Sequence, residues 1–79
     1  MAYVVKVDQK GTKAIPAASG YIAKSRPIST TKTGARFELV EQAADAFRFK
    51  THPRVKFYAS IRLEKNSALA SYDIEELPD

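Results

Sequence analysis

The side chains that carry most enzyme chemistry are nearly missing from this chain. It has one histidine, His52, and no cysteine, whereas nucleophilic or general acid–base catalysis needs a titratable group placed beside a partner. His52 stands next to Pro53, between Lys50 and Arg54, and reads as an exposed loop histidine. Neither zinc nor calcium ligand spacing can be built from one histidine, no cysteine and no Asp-rich loop. Thr30-Thr31-Lys32-Thr33-Gly34 has phosphate-loop residue types in the wrong order, with one glycine where the backbone must wrap a phosphate. Glu75, Glu76 and Asp79 read as a solvated acidic tail. The expectation is no enzyme, no metal and no cofactor.

What remains is charge. The 79 residues carry 13 Lys and Arg against 9 Asp and Glu, a formal net charge of +4. All thirteen bases lie within residues 1–65, against five acids, so that body carries +8; the last fourteen residues hold four acids and no base. Six bases and no acid fall between Gln9 and Phe37. Six more fall between Arg48 and Lys65, against Glu64 alone.

The elements that would position these charges follow from periodicity. Tyr3 to Val7 is β-branched and reads as a strand. Residues 9–19 read as a loop, because Gly11 suits a turn and Pro16 blocks a helix. Gly20 to Lys24 reads as a second short strand, and residues 25–35, with Pro27 and a Ser/Thr cluster, as a surface loop. Between Phe37 and Phe49, Leu39, Ala43, Ala46 and Phe47 recur at three- and four-residue intervals, which predicts a helix stopped by Thr51-His52-Pro53. Val55, Phe57, Ala59, Ile61 and Leu63 then alternate with Lys56, Tyr58, Ser60 and Arg62, which predicts a strand with one buried face. Residues 68–77 alternate again and are assigned to a returning strand in preference to a short terminal helix, with 75–79 as the tail. The expected fold is α+β: one domain spanning residues 1–79, with an antiparallel sheet of three to four strands packed on one helix in the order ββαββ.

On that reading Lys56, Tyr58 and Arg62 form a cation–aromatic–cation row on the outer sheet face, able to stack on a base and hold phosphates. Arg26, Lys32 and Arg36 add a second basic group in the loop. The competing reading is solubility: surface strands carry Lys and Arg to keep sheets from pairing with one another.

A chain this short buries only about 60% of its unfolded surface, and it has no disulfide to compensate. That favours a reducing cytoplasm. Tyr3-Val4-Val5 is cut by Lys6 and Asp8, too soon for a membrane span. A four-stranded sheet with one helix leaves a face uncovered, which leaves room for a homodimer through the edge formed by the first or the last strand.

The run Tyr3-Val4-Val5-Lys6, then Gly20-Tyr21-Ile22-Ala23, then Ala35-Arg36-Phe37 ahead of Gln42-Ala43-Ala44-Asp45-Ala46-Phe47, resembles short bacteriophage and prophage accessory proteins. In those a strand pair precedes an A-x-F step into an alanine-rich helix. The resemblance implies a compact protein that binds a host or phage macromolecule, inhibitors of host defence such as anti-CRISPR proteins included. The expectation is therefore a non-catalytic binding protein in the host cytoplasm, with a protein partner favoured over nucleic acid.

Overall fold

A computed structural model describes residues 2–11, 15–31, 34–66 and 68–78. Strands β1 (Ala2–Gln9), β2 (Ala18–Ile22), β3 (Ser29–Thr31), β4 (Gly34–Arg36) and β5 (Leu39–Val40) come first. A single 3₁₀ turn (Ala43–Asp45), helix α1 (His52–Tyr58) running on into a π-helical turn (Ala59–Leu63), and strand β6 (Leu69–Leu77) follow. The larger sheet is antiparallel in the order β5-β2-β1-β6, and β3 and β4 form a separate hairpin. The fold is thus α+β, with a four-stranded antiparallel sheet and one helix.

The helix and one strand have exchanged places relative to the sequence reading. Residues 37–49 hold a strand, one 3₁₀ turn and an extended run in place of a helix. Leu39 and Val40 pair with Ile22 and Tyr21, Ala23 N–H donates to the Glu38 carbonyl and Phe47 N–H to the Ile22 carbonyl. Pairing with β2 thus takes up the backbone of a segment whose helix would have been marginal alone, and Phe37 goes into the core.

Residues 52–63 are helical where a strand was expected. Thr51 is extended and its Oγ1 accepts the Arg54 N–H at 3.3 Å, while Pro53 occupies the first turn. Proline is tolerated there because first-turn N–H groups have no intrahelical acceptor. The residues read as a stop therefore start the helix. Val55, Tyr58, Ala59 and Leu63, at i, i+3, i+4 and i+8, face the sheet. The last turn is held by Glu64 N–H donating to the Ala59 carbonyl at 3.0 Å, an i→i+5 bond.

The core lies between α1 and one sheet face, with Val5, Val7, Ile22, Phe37 and Phe49 meeting the helix. On the opposite face Tyr21 reaches from β2 across β1, and its hydroxyl donates to Glu75 Oε1 on β6 at 2.9 Å. Glu75 is the register partner of Val4, and Tyr21 that of Lys6. The crossing therefore passes over Val4, which is fully buried on that side. Glu75 and Glu76 belong to β6 and are not a loose acidic tail; Asp79 lies outside the described residues. β1 has neighbours on both sides, so of the two strands considered for a dimer edge only β6 is at an edge.

The stretch expected to be a surface loop contains β3 and most of β4. Asn66, buried beneath that hairpin, behaves like a one-residue strand. Its Oδ1 accepts the N–H groups of Ala35 (3.1 Å) and Ala68 (3.0 Å), and its Nδ2 donates to the Ala35 carbonyl (2.9 Å).

Candidate functional site

The residues singled out from the sequence lie on several different elements. Lys56 and Arg62 are exposed on α1 and its continuation, Arg26 on the link after β2, and Arg36 on β4. Lys32 lies outside the described residues. Tyr58, expected at the centre of the row, is a core residue at 8% exposure. A helix turns 100° per residue, so alternate positions cannot share a face.

Burial of Tyr58 leaves its hydroxyl with no hydrogen-bond partner among the described residues, and it pushes the phenol up to about 12, against which the nearby positive charge of Arg62 pulls down. Because the folded-state pKa is raised, the unfolded chain loses this proton first. Stability is unaffected below pH 10 and falls as pH rises from 10 through 12. Tyr58→Phe removes both the unpaired hydroxyl and this titration. It should raise the urea midpoint at pH 8 by the equivalent of about 1 kcal/mol, and the gap to the parent protein should widen by on the order of 1–2 kcal/mol by pH 12. Equal midpoints at both pH values would show that the hydroxyl is solvated.

Turning Tyr58 inward turns Phe57 outward. Phe57 is 67% exposed and Ile61, one turn on, 49%; Pro53 is exposed on the turn before. An apolar stripe of Pro53, Phe57 and Ile61 thus runs along the solvent side of α1 and its continuation, flanked by the exposed Arg54, Lys56 and Arg62. Exposed apolar stripes rimmed by charge are characteristic of contact surfaces.

Beside α1 the chain runs extended through residues 47–50. Phe47 N–H donates to Ile22, and Phe49 exchanges two backbone bonds with Tyr3 at 2.8 and 2.9 Å. The rings of Phe47 and Phe49 meet edge to face at 4.9 Å, and Phe49 touches Tyr58 at 4.9 Å. An aromatic row thus leads from Phe47, 37% exposed, down into the core.

Between this segment and α1 lies an open groove of about 570 Å³, lined by Phe47, Phe49, Pro53 and Phe57 with Ser25, Arg48, Lys50 and Arg54. No acid is among these residues. Among the described residues none of the three cations has an ion-pair partner; Arg48 makes only a long 3.5 Å contact to the Ala44 carbonyl. Cations left uncompensated beside exposed aromatics can hold carboxylates or phosphates next to an apolar anchor. Among the described residues no three His, Asp or Glu side chains cluster as a metal site would require, and no helix is long and apolar enough to cross a membrane.

No protein-family model, curated protein or solved structure matches this chain. Ala35-Arg36-Phe37 leads into β5, and Gln42 to Phe47 contains one 3₁₀ turn.

Sequence reasoning missed this groove because it put residues 55–63 on a strand. The signals were present: Thr51 three residues ahead of Arg54, Pro53 at a first-turn position, and Val55, Tyr58, Ala59, Leu63 at helical spacing. Assigned to a helix, those four leave Phe57 and Ile61 without a core.

Proposed function

We propose that this chain is a non-catalytic protein-binding protein whose contact surface is the outward face of α1 and the groove beside it. The observation that supports this reading best is the pairing of Phe57 and Ile61, both exposed on one helix face, with three cations that have no ion-pair partner among the described residues. Interface centres are enriched in aromatic residues and Arg, and a few such anchors carry most of the binding energy. In the inhibitory role that the accessory-protein resemblance implies, covering a host or phage protein with this face would be the whole mechanism. A second copy is a poor occupant, because a two-fold contact on this face would set Arg54, Lys56 and Arg62 against themselves.

A photo-crosslinking residue at position 57 or 61, introduced in the cells that naturally make the protein, should give one discrete protein adduct. The same residue at Asp8, on the far sheet face, should give none. Adducts equally strong from position 8 would refute this choice of surface.

One observation favours a second reading. Phe47 and Phe57 are two exposed aromatics beside Arg48, Lys50 and Arg54, the combination that stacks and steadies single-stranded nucleic acid. Ile61, which has no ring to stack, weighs against it. Oligonucleotide affinity that falls steeply with salt and is lost in Phe57→Ala would bring this reading to first place.

A further inference from the structure

We infer that the element received by the groove is an acidic segment of the partner protein, with one aromatic or branched aliphatic side chain seated between Phe47 and Phe57 and carboxylates on Arg54, Arg48 and Lys50. This rests on the protein-binding reading and names the partner's chemistry.

Three features of the groove define its occupant. Its volume, about 570 Å³, lies within the range of sites that enclose a small ligand or a few side chains. Its floor is aromatic, because Phe49 is pinned below by Tyr58 and Tyr3, so the deepest position takes an apolar group. Its rim is cationic with no compensating acid. Cations with no ion-pair partner among the described residues gain most from a partner that brings its own negative charge. Arg54 is the best placed of the three. It sits in the first turn of α1, held by its own backbone N–H to Thr51 Oγ1, one turn ahead of Phe57 on the rim of the same groove.

Carboxylates are favoured over a phosphodiester backbone by the shape of the apolar surface. A nucleic-acid track repeats aromatic and cation along a path so that successive bases stack. Here the apolar surface leaves the groove over Phe57 and continues to Ile61, matching a protein surface that flanks one inserted anchor.

The test uses the intact chain and four fluorescent probes. These are a short Asp- and Glu-rich peptide with one central tryptophan, the same peptide with alanine in place of tryptophan, a version with lysines in place of the acids, and an oligothymidine. The acidic tryptophan peptide should bind, at least about tenfold more tightly than the alanine version, and more weakly as salt rises. Phe57→Ala should lower its affinity at least about tenfold. Arg54→Glu should lower its affinity at least about tenfold and narrow its preference over the lysine version, a charge-dependent change that a merely structural role for Arg54 would not produce. Both side chains are exposed, so both variants should keep the parent melting temperature.

Oligothymidine binding that is tighter than the peptide's and lost in Phe57→Ala would overturn the carboxylate assignment while leaving the groove as the site. Peptide binding indifferent to both substitutions would overturn the site itself. No binding of the acidic tryptophan peptide at low salt would overturn the assignment outright.

Discussion

Tyr58→Ala should remove a large share of this protein's stability, and Phe57→Ala should leave it nearly unchanged. In the structure Tyr58 is 8% exposed, against Phe49 and among Val55, Ala59 and Leu63, whereas Phe57 is 67% exposed. Truncating a buried aromatic costs about 3–5 kcal/mol through lost transfer energy and the cavity left behind. A domain of this size has roughly 4–12 kcal/mol in total. Removing an exposed ring should cost within about 0.5 kcal/mol. The pair is decisive because a strand over residues 55–63 puts these neighbours on opposite faces the other way round, with Phe57 in the core and Tyr58 outside. Urea denaturation of both variants measures it: a Phe57→Ala loss larger than that of Tyr58→Ala would restore the strand and dissolve the groove.

This segment also shows why part of the fold was legible and part was not. Val55 to Leu63 satisfies two periods at once. Its odd positions alternate with polar ones as a strand requires, and Val55, Tyr58, Ala59 and Leu63 fall on one helical face. Alternation counted Tyr58 as polar, and one large amphipathic residue was enough to tip the choice. The strands at the two ends were readable because β1 is rich in β-branched valine and because alternation from Ala70 to Glu75 outweighed the terminal helix that Leu69 also allowed. Residues 37–49 failed for a different reason. Their three- and four-residue spacing is genuine, but the backbone partners that override it lie on β2, which no local pattern reveals. The fold class held because exchanging a helix and a strand leaves their number nearly unchanged.

The site was less legible than the fold. Its aromatic floor comes from Phe47 and Phe49, its wall from Pro53 and Phe57 and its rim from Arg48, Lys50 and Arg54. The basic stretch from Arg48 to Lys65 was visible as charge in the sequence, since all three rim cations belong to it. What sequence alone did not give was the meeting of the 47–50 segment with Tyr3 across some 45 residues of chain, which turns that charge into a groove.

Gly34→Ala should destabilise the protein by about 3 kcal/mol or more, the second large effect. Gly34 opens β4 with φ +140°, a region that residues with a Cβ rarely adopt and whose strain costs about 1–3 kcal/mol. A Cβ there would also run into Asn66 Oδ1 and lie 2.9 Å from the Ala68 Cβ. Asn66 cannot step aside cheaply. The same Oδ1 accepts Ala35 N–H and Ala68 N–H, and Nδ2 holds the Ala35 carbonyl, so moving it leaves buried backbone groups unpaired at about 1–3 kcal/mol each. Asn66 follows the π-helical turn after α1, and it thereby ties the β3–β4 hairpin to the start of β6. Hydrogen exchange should show the consequence locally: in Gly34→Ala the Ala35 and Ala68 amides lose protection first, ahead of Val5 and Val7 in β1. Uniform loss across both sheets would mean that the hairpin is not a separable unit, and unchanged stability would mean that the Asn66 clamp does not form.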